Sequence, residues 1–332
     1  MSERRRGRLV AALLAGALAL AGCSAGGGGA AGSDVDSGTR TITTDRGELE
    51  VPADPQRIVV LSGGLAGYLY ALDVPPVATD TRVLGVTNFD GGFPPAWAEP
   101  AQAAGTEQLP AGEQLSIEAV AAAEPDLIIG GGQGITAVQA EEAYDRLAGI
   151  APTVLVPRTL TAWQDQLDAV ADATNATDRV PGLIERYQNR VAEVRTAITP
   201  PDGEVVYIGS FSSPTNYLVP SDAALPALVG EVGITAVDVV SRVPDARLAS
   251  TGDAMEISPE LLGGVADAPN AIVVNAGGRG LDELRRDPAY AQLPSFRAGT
   301  VWELPATSYR PDFDGAMDTL DRIEAIFGAG TG

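Results

Sequence analysis

Residues 177–198 constrain the fold more than any other part of this 332-residue chain. Their apolar side chains recur at steps of three and four, which places them on one face of an α-helix. Thr177 is a candidate N-cap, Pro181 falls in the first turn, and residues 199–203 end the helix. At 1.5 Å per residue, the predicted helix is roughly 30 Å long, about the width of a small domain. The apolar residues are Val180, Leu183, Ile184, Tyr187, Val191, Val194 and Ile198.

Short β-rich runs alternate with helical runs on both sides of this helix, which is typical of α/β folds with mainly parallel sheets. The helix is then either one crossover inside a large domain or a strut that joins two lobes. A weak internal repeat favours the strut. In each half a glutamate, Glu118 or Glu260, opens a helix that leads to a proline and an apolar strand ending in glycines. The sequence therefore predicts an α/β fold with two Rossmann-like lobes joined by a single long α-helix.

The composition excludes several function classes. The formal charge is −22, and such an acidic surface repels phosphate backbones, so we expect no nucleic-acid partner. All 22 basic residues are arginine, and histidine is absent. Without lysine and histidine the chain cannot form a Walker A loop, a Schiff base, a Ser-His-Asp triad or an HExxH zinc site. The single cysteine excludes an intramolecular disulfide.

Residues 1–22 have the pattern of a secretory signal peptide. Basic residues precede an apolar run over residues 9–20, which is too short to span a bilayer. The run ends in Leu20-Ala21-Gly22-Cys23, which resembles the bacterial lipobox, whose cysteine is acylated and becomes the mature N-terminus. The alternative is an ordinary signal peptide that happens to contain a cysteine. Because Cys23 is the only cysteine and a flexible Gly/Ser tract follows it, we expect a lipoprotein on the extracytoplasmic face of the cell membrane.

These observations predict five consecutive parts. Residues 1–22 form the signal peptide, residues 23–40 a flexible lipidated linker, residues 41–176 the N-terminal α/β lobe, residues 177–199 the connecting helix, and residues 200–332 the C-terminal α/β lobe. The turn Asp45-Arg46-Gly47, flanked by β-rich runs, predicts a hairpin at the start of the first lobe.

Glycine-rich loops follow the predicted strands, and the ligand crevice of an open α/β sheet lies beyond the carboxyl ends of its strands. Ordinary turn formation explains any single loop, but five such loops on two facing lobes favour a cleft. Arginine offers forked donors to carboxylate or catecholate oxygens, and aromatic faces pack against apolar ligand groups. The loops are residues 62–64, 130–134, 157–158, 209–213 and 275–279. The candidate ligand contacts near them are Phe93, Trp97, Arg158, Trp163, Phe211, Tyr217, Arg242, Arg247, Arg279, Tyr309 and Arg310.

In the run over residues 51–61, prolines and Arg57 precede an apolar end. This run resembles the opening strand of the periplasmic binding proteins for ferric siderophores and cobalamin. Glu124 and its alanine-rich surroundings depart from the family, in which a lysine and a leucine are common there. Further matches follow in the family's order at Glu118 with residues 125–129, at residues 150–154 with Trp163, at residues 257–260 and at residues 299–302.

This resemblance implies the substrate-binding protein of an ABC importer, with a shallow cleft, little closure motion, no catalytic residues, and neither a cofactor nor a metal site of its own. The implied cargo is an iron(III)-siderophore that is delivered to a membrane permease. One glutamate on each lobe pairs with permease arginines in this family, and these glutamates map to Glu118 and Glu260. We expect a monomer that is held at the membrane through Cys23.

Other ligands and a second function class stay open on the sequence. Haem would rely on an iron ligand such as Tyr217 or Tyr309, and cobalamin is a further alternative. A surface-tethered hydrolase that depends on carboxylates or a metal could use Asp312 and Asp314, although these residues are better placed to cap the terminal helix. Residues 1–22 carry a surplus of three positive charges, so the mature chain carries −25. This charge favours a neutral or weakly charged hydroxamate siderophore, unless arginines reverse the sign inside the cleft.

Overall fold

The computed structural model describes residues 38–84, 89, 91–112, 114–213, 215–249 and 251–328. The predicted signal peptide, most of the predicted linker and Cys23 lie outside the described residues. No helix in the described ranges is long and apolar enough to cross a membrane. The first described element is an antiparallel hairpin of β1 (Thr39–Thr44) and β2 (Gly47–Pro52), which confirms the predicted hairpin. Gly47 closes its turn with φ at +105°, a conformation that favours glycine.

A parallel five-stranded sheet forms the first half of the fold. Its strands are β3 (Ile58–Val60), β4 (Ala78–Thr79), β5 (Glu107–Gln108), β6 (Leu127–Gly131) and β7 (Thr153–Val156). They lie in the order β5-β4-β3-β6-β7. The central strands β3 and β6 are wholly buried and apolar, as expected when both faces of a parallel sheet are covered. The helices of this half are α1 (Gly63–Ala71), α2 (Ala98–Ala104), α3 (Ile117–Ala122), α4 (Ile135–Ala148) and α5 (Trp163–Thr174).

A mixed five-stranded sheet forms the second half. Its strands are β8 (Val205–Phe211), β9 (Asn216–Leu218), β10 (Met255–Ile257), β11 (Asn270–Ala276) and β12 (Val301–Pro305), in the order β10-β9-β8-β11-β12. The strands β8, β11 and β12 pair in parallel, whereas β9 and β10 pair antiparallel. Two α/β halves with mainly parallel sheets confirm the predicted fold class. The helices are α7 (Ala224–Gly230), α8 (Pro259–Val265), α9 (Leu281–Leu284), α10 (Pro288–Ala291), α11 (Pro294–Ala298) and α12 (Phe313–Phe327).

The long helix α6 (Val180–Ala197) lies in the chain between the two sheets. Its 18 residues correspond to roughly 27 Å. Pro181 occupies the first turn as predicted, but the N-cap prediction at Thr177 is wrong. Thr177 begins a short 3-10 turn instead, and Arg179 takes the N-cap position without a side-chain cap. The buried face of α6 consists of Leu183, Tyr187, Val191 and Val194.

One hydrophobic core runs through both halves. It joins buried side chains of both sheets with those of α1, α5, α6, α7 and α12. The last helix, α12, packs against α6 and also against α1 and α5 of the first half. Each sheet also has one smaller hydrophobic cluster on its other face. Both sheets therefore rest on a shared layer of helices, which fixes the position of the loops at their carboxyl ends.

Candidate functional site

A cleft of about 420 Å³ opens beyond the carboxyl ends of strands from both sheets. Three of the five predicted loops line it. Residues 62–64 follow β3, residues 130–134 include the end of β6, and residues 209–213 include the end of β8. Residues 157–158 and 275–279 do not line this cleft. The site lies where the topology of an open α/β sheet places a ligand.

Aromatic rings form the wall on the side of the second sheet. Phe211 lies against Tyr217 and Tyr309, with ring centroids 5.2 and 5.1 Å apart and edge-to-face geometry. Phe211 and Tyr217 are half-buried and line the cleft. Tyr309 is buried, and its hydroxyl donates to the backbone carbonyl of Asp253 at 2.8 Å. This wall offers apolar ring surface to a ligand.

Aliphatic side chains and one tyrosine form the wall on the side of the first sheet. Leu65 and Tyr68 come from α1, and Val83 and Leu84 come from the loop after β4. Leu84 has φ at +52°, a strained conformation for a bulky residue and one that is frequent at binding sites. Ile135 opens α4 at the rim and is 57% exposed. The sequence predicted the glycine loops 62–64 and 130–134 on this side but missed these apolar side chains, although Ile135 directly follows the second loop.

Arg310 is the cleft arginine with donors to spare. Its Nη2 atom donates to Asp253 Oδ1 at 3.0 Å and to Thr251 Oγ1 at 2.9 Å, and its Nε donates to Asp253 Oδ2. Burial alone would raise the pKa of the Asp253 carboxyl, but hydrogen bonds and charge from Arg310 outweigh it and hold that pKa below its ordinary value. Among the described residues, the Nη1 group of Arg310 has no hydrogen-bond partner.

Arg82 also lines the cleft but is fully engaged. Its Nε donates to both carboxylate oxygens of Asp80 at 3.0 Å, and its Nη1 donates to the carbonyl of Gly112 at 2.9 Å. Its Nη2 reaches Gln139 Oε1 at 2.8 Å. The side chains of Arg82 and Asp80 are only 8% and 1% exposed. This pair is a buried support of the wall and carries no net charge.

One amide in the cleft lacks a protein partner. The Nε2 atom of Gln133, in the loop after β6, is buried and has no hydrogen-bond partner among the described residues. Since an unmatched buried donor is costly, a ligand oxygen is a natural acceptor for it. In the described ranges, histidine, cysteine, aspartate and glutamate form no group of three that could hold a metal ion.

The structure places three of the predicted aromatic contacts in the core instead of the cleft. Trp97 is 1% exposed and stacks on Tyr70 at 5.5 Å, with Phe93 packed beside it. Trp163 is 3% exposed and packs between Tyr187 of α6 and Phe313 of α12. The physical reason is burial, because large aromatic rings stabilise the core when they pack there, and Trp163 does so between α6 and α12.

Four of the predicted arginine contacts also lie outside the cleft. Arg158 pairs with Glu141 at 3.7 Å, in a separate polar groove. Arg242 donates to the carbonyl of Val265 at 3.0 Å and lies near Glu204, and Arg279 pairs with Asp287. Arg247 lines a groove beside α8. Of the eleven predicted contacts, Phe211, Tyr217, Tyr309 and Arg310 line the cleft.

Glu118 and Glu260 occupy matching positions in the two halves. Each is exposed and lies in the first turn of a short helix, α3 and α8 respectively. The pKa of the Glu260 carboxyl lies below its ordinary value because the backbone amide of Glu260 and the hydroxyl of Ser258 donate hydrogen bonds to it. Neither glutamate lines the cleft.

Comparison with known proteins gives consistent results. A model of the periplasmic binding protein family matches residues 58–307. The ferric enterobactin-binding periplasmic protein FepB of Escherichia coli O6:H1 is 28% identical over 298 residues, which cover 87% of this chain and 91% of that protein. The iron(3+)-hydroxamate-binding protein FhuD of Bacillus subtilis is 28% identical over 188 residues, or 57% of this chain and 54% of that protein. The crystal structure of holo-ViuP matches with a TM-score of 0.73 at 22% identity, covering 87% of this chain and 95% of that one, and shows the same fold.

Proposed function

Because the chain belongs to the periplasmic binding protein family, we propose that it is the extracytoplasmic binding component of an ABC importer for a ferric siderophore. The observation that carries this proposal is the cleft itself, with its aromatic and aliphatic walls and its few aimed donors. Relatives whose names state that they bind ferric enterobactin or iron(3+)-hydroxamates support the same ligand class. The siderophore would fill the coordination sphere of iron, and the protein would contact its organic shell.

We favour a hydroxamate complex within this class. Three hydroxamate groups balance the charge of iron(III), whereas three catecholates leave a strongly anionic complex. Both cleft arginines are matched by an aspartate, Arg310 by Asp253 and Arg82 by Asp80, so the cleft has no excess positive charge to attract an anion. Of the predicted arginine contacts that could have made the cleft positive, all except Arg310 lie outside it. A triscatecholate is the second candidate, because the similarity to FepB spans nearly the whole chain.

Haem is less well supported than a siderophore. The hydroxyl of Tyr309 is buried and engaged with the carbonyl of Asp253 at 2.8 Å, which removes one of the two possible tyrosine ligands for haem iron. Tyr217 lines the cleft, and its hydroxyl lies 3.5 Å from Glu256 Oε1. Of these two tyrosines, Tyr217 is the one left as a ligand for haem iron.

The protein is a binding protein and not an enzyme, in agreement with its family. Asp312, the first residue of the hydrolase alternative, instead caps α12 by accepting the N–H of Gly315 at 2.7 Å. Asp314, its suggested partner, lies in the first turn of the same helix. The capping function accounts for the position of Asp312 without any catalytic chemistry.

Delivery would use the exposed glutamates. A carboxylate in the first turn of a helix is stabilised by the helix dipole, and Glu118 and Glu260 are both exposed, so they present one negative charge from each half. Such a pair suits a permease that offers arginines at two matching places. A lipid on Cys23 and a monomeric state complete the proposal, since one tethered copy then presents both glutamates to one permease.

Calorimetric titration of the purified protein with ferrichrome, ferric enterobactin, haemin and cobalamin tests the ligand class. We expect sub-micromolar binding of ferrichrome and weaker binding of the other three. Tyr217→Ala should lose roughly tenfold in affinity, because a half-buried ring at the cleft wall is removed. The matched control is Tyr144→Ala, which removes a half-buried tyrosine from α4 outside the cleft. Binding of haemin or cobalamin alone would refute the siderophore assignment.

A further inference from the structure

The charge that Arg310 presents to the cleft depends on one buried carboxylate, that of Asp253. Its side chain is 8% exposed, and the guanidinium of Arg310 that it engages is 21% exposed. Thr251 completes the arrangement, since its hydroxyl lies within hydrogen-bond distance of both Asp253 Oδ1 and Arg310 Nη2. The backbone carbonyl of Asp253 also accepts the Tyr309 hydroxyl, which ties this carboxylate to the aromatic wall.

This arrangement divides Arg310 into an engaged edge and an open edge. The Nε and Nη2 atoms face Asp253 and Thr251. The Nη1 atom points the other way, and a Cβ built on Gly134 in the loop of the opposite wall would lie 3.7 Å from it. Arg310 therefore reaches across the cleft from one half to the other, and its open edge has two N–H donors without a partner in the described chain.

Arg82 cannot serve in the same way. All of its nitrogens donate to Asp80, to Gly112 or to Gln139, and the guanidinium is almost completely buried. Among the described cleft residues, Arg310 is thus the one cation that could meet a ligand directly. Asp253 determines how much positive charge Arg310 presents to that ligand.

We infer that Asp253 is the residue that determines the charge class of the ligand. The carboxylate of Asp253 neutralises the charge of Arg310. The open Nη1 edge of Arg310 can then donate hydrogen bonds without an excess positive charge, which suits the oxygen of an uncharged siderophore complex. An anionic complex would meet Asp253 at short range, separated from it only by one guanidinium. This inference rests on the proposed siderophore function and deepens it.

Asp253→Asn tests the inference because the amide keeps the shape and one acceptor for Arg310 while its negative charge is lost. Affinities for neutral ferrichrome and anionic ferric enterobactin are measured by calorimetry at low and physiological salt. One uncompensated charge at this range should shift the ratio of the two affinities toward ferric enterobactin on the order of ten- to a hundredfold, and less at higher salt.

The double variant Asp253→Asn/Arg310→Gln removes both charges and should return the ratio close to its original value. Asp318→Asn is the matched control, since it also removes one negative charge from an Arg–Asp pair, with Arg322 on the surface of α12. Thermal unfolding monitored by circular dichroism confirms that each variant is folded.

The outcomes separate the inference from the function on which it rests. Equal changes for both siderophores in Asp253→Asn, or an equal shift of the ratio in Asp318→Asn, would overturn the charge-selection role. If Asp253→Asn does not fold, Arg310→Gln and the double variant decide the question. An unaltered affinity ratio in the folded double variant, together with a ratio shifted away from ferric enterobactin in Arg310→Gln, would support the inference. A ratio shifted toward ferric enterobactin in Arg310→Gln would overturn it. If the unaltered protein binds no siderophore, the proposed function itself is wrong.

Discussion

Asp312 is a buried carboxylate that reduces the stability of the fold at neutral pH. Its Oδ1 caps α12 through the N–H of Gly315, and its Oδ2 lies so close to Gly67 of α1 that a Cβ at that position would overlap it. Burial is the main reason that the pKa of Asp312 rises to about 6, and the hydrogen bond from Gly315 offsets only part of that rise.

The direction of the pH effect follows from the two pKa values. The folded value of about 6 lies above the ordinary value of 3.8, so the folded state binds the proton more tightly. The contribution of the protonated group is fully present below pH 3.8 and is lost as the pH rises through about 6. The two values differ by about 2.2, and at about 1.36 kcal/mol per unit the ionised form is disfavoured by about 3 kcal/mol.

Asp312→Asn should therefore stabilise the protein at pH 7.5. Asparagine caps a helix about as well as aspartate, and the lost attraction of the charge to the helix dipole is about 1 kcal/mol at most. We expect the free energy of unfolding to rise by about 2 kcal/mol at pH 7.5. At pH 4 most of the native carboxyl is already protonated, so the two proteins should differ by less than about 1 kcal/mol.

Urea unfolding followed by circular dichroism, at pH 7.5 and at pH 4, measures this difference. Asp318→Asn is the control, since it makes the same chemical change at a position of the same helix where the side chain is 43% exposed. A gain of equal size at both pH values would show that the effect does not come from ionisation. A loss of stability at pH 7.5 would refute the reasoning and show that the carboxylate is favourable where it lies.

Three further predictions follow from the proposed function and the packing. Cys23→Ala should release the protein from the membrane fraction with its siderophore affinity unchanged, and retention on the membrane would contradict the lipid anchor. Glu118→Arg combined with Glu260→Arg should abolish uptake of radiolabelled ferric siderophore while binding in vitro stays the same, whereas a parallel loss of binding would place these residues in the cleft or the core. Gly67→Ala should destabilise the fold by about 1–3 kcal/mol in urea unfolding, because the new methyl group overlaps the Asp312 carboxylate. Gly182→Ala in α6, where a Cβ meets nothing within 4 Å, is the control and should stabilise the fold by about 0.5–1 kcal/mol.

The repeating elements of this fold could be predicted from local sequence. Apolar runs such as that of β6 become buried parallel strands, and the Asp45-Arg46-Gly47 turn becomes a hairpin, because each depends on neighbouring residues alone. The strands β9 and β10 were not predicted. Each has three residues, which is too few for an alternating pattern to show, and their pairing depends on contact between distant segments.

The side chains of the candidate site were harder to predict because their partners lie far away in the chain. Arg310 and Asp253 are separated by 57 positions, and no local pattern links them. Arg279 and Arg158 looked equivalent to Arg310 in the sequence, but each lies beside its own carboxylate outside the cleft. Trp163 has the helical spacing of a core residue, and burial determines its position.

The continuous core explains why these wall residues matter for ligand choice. Trp163 packs on both α6 and α12, and α12 also packs on α1, so side chains of both halves share one buried layer behind the cleft. Closing the cleft by a hinge would expose that layer to water, at about 25 cal/mol for each Å² of apolar surface. We therefore expect a ligand to fit walls that are already in place, without new charged groups brought to it by closure. The selection between neutral and anionic siderophores then rests with the groups that line the cleft before binding, above all Arg310 and Asp253.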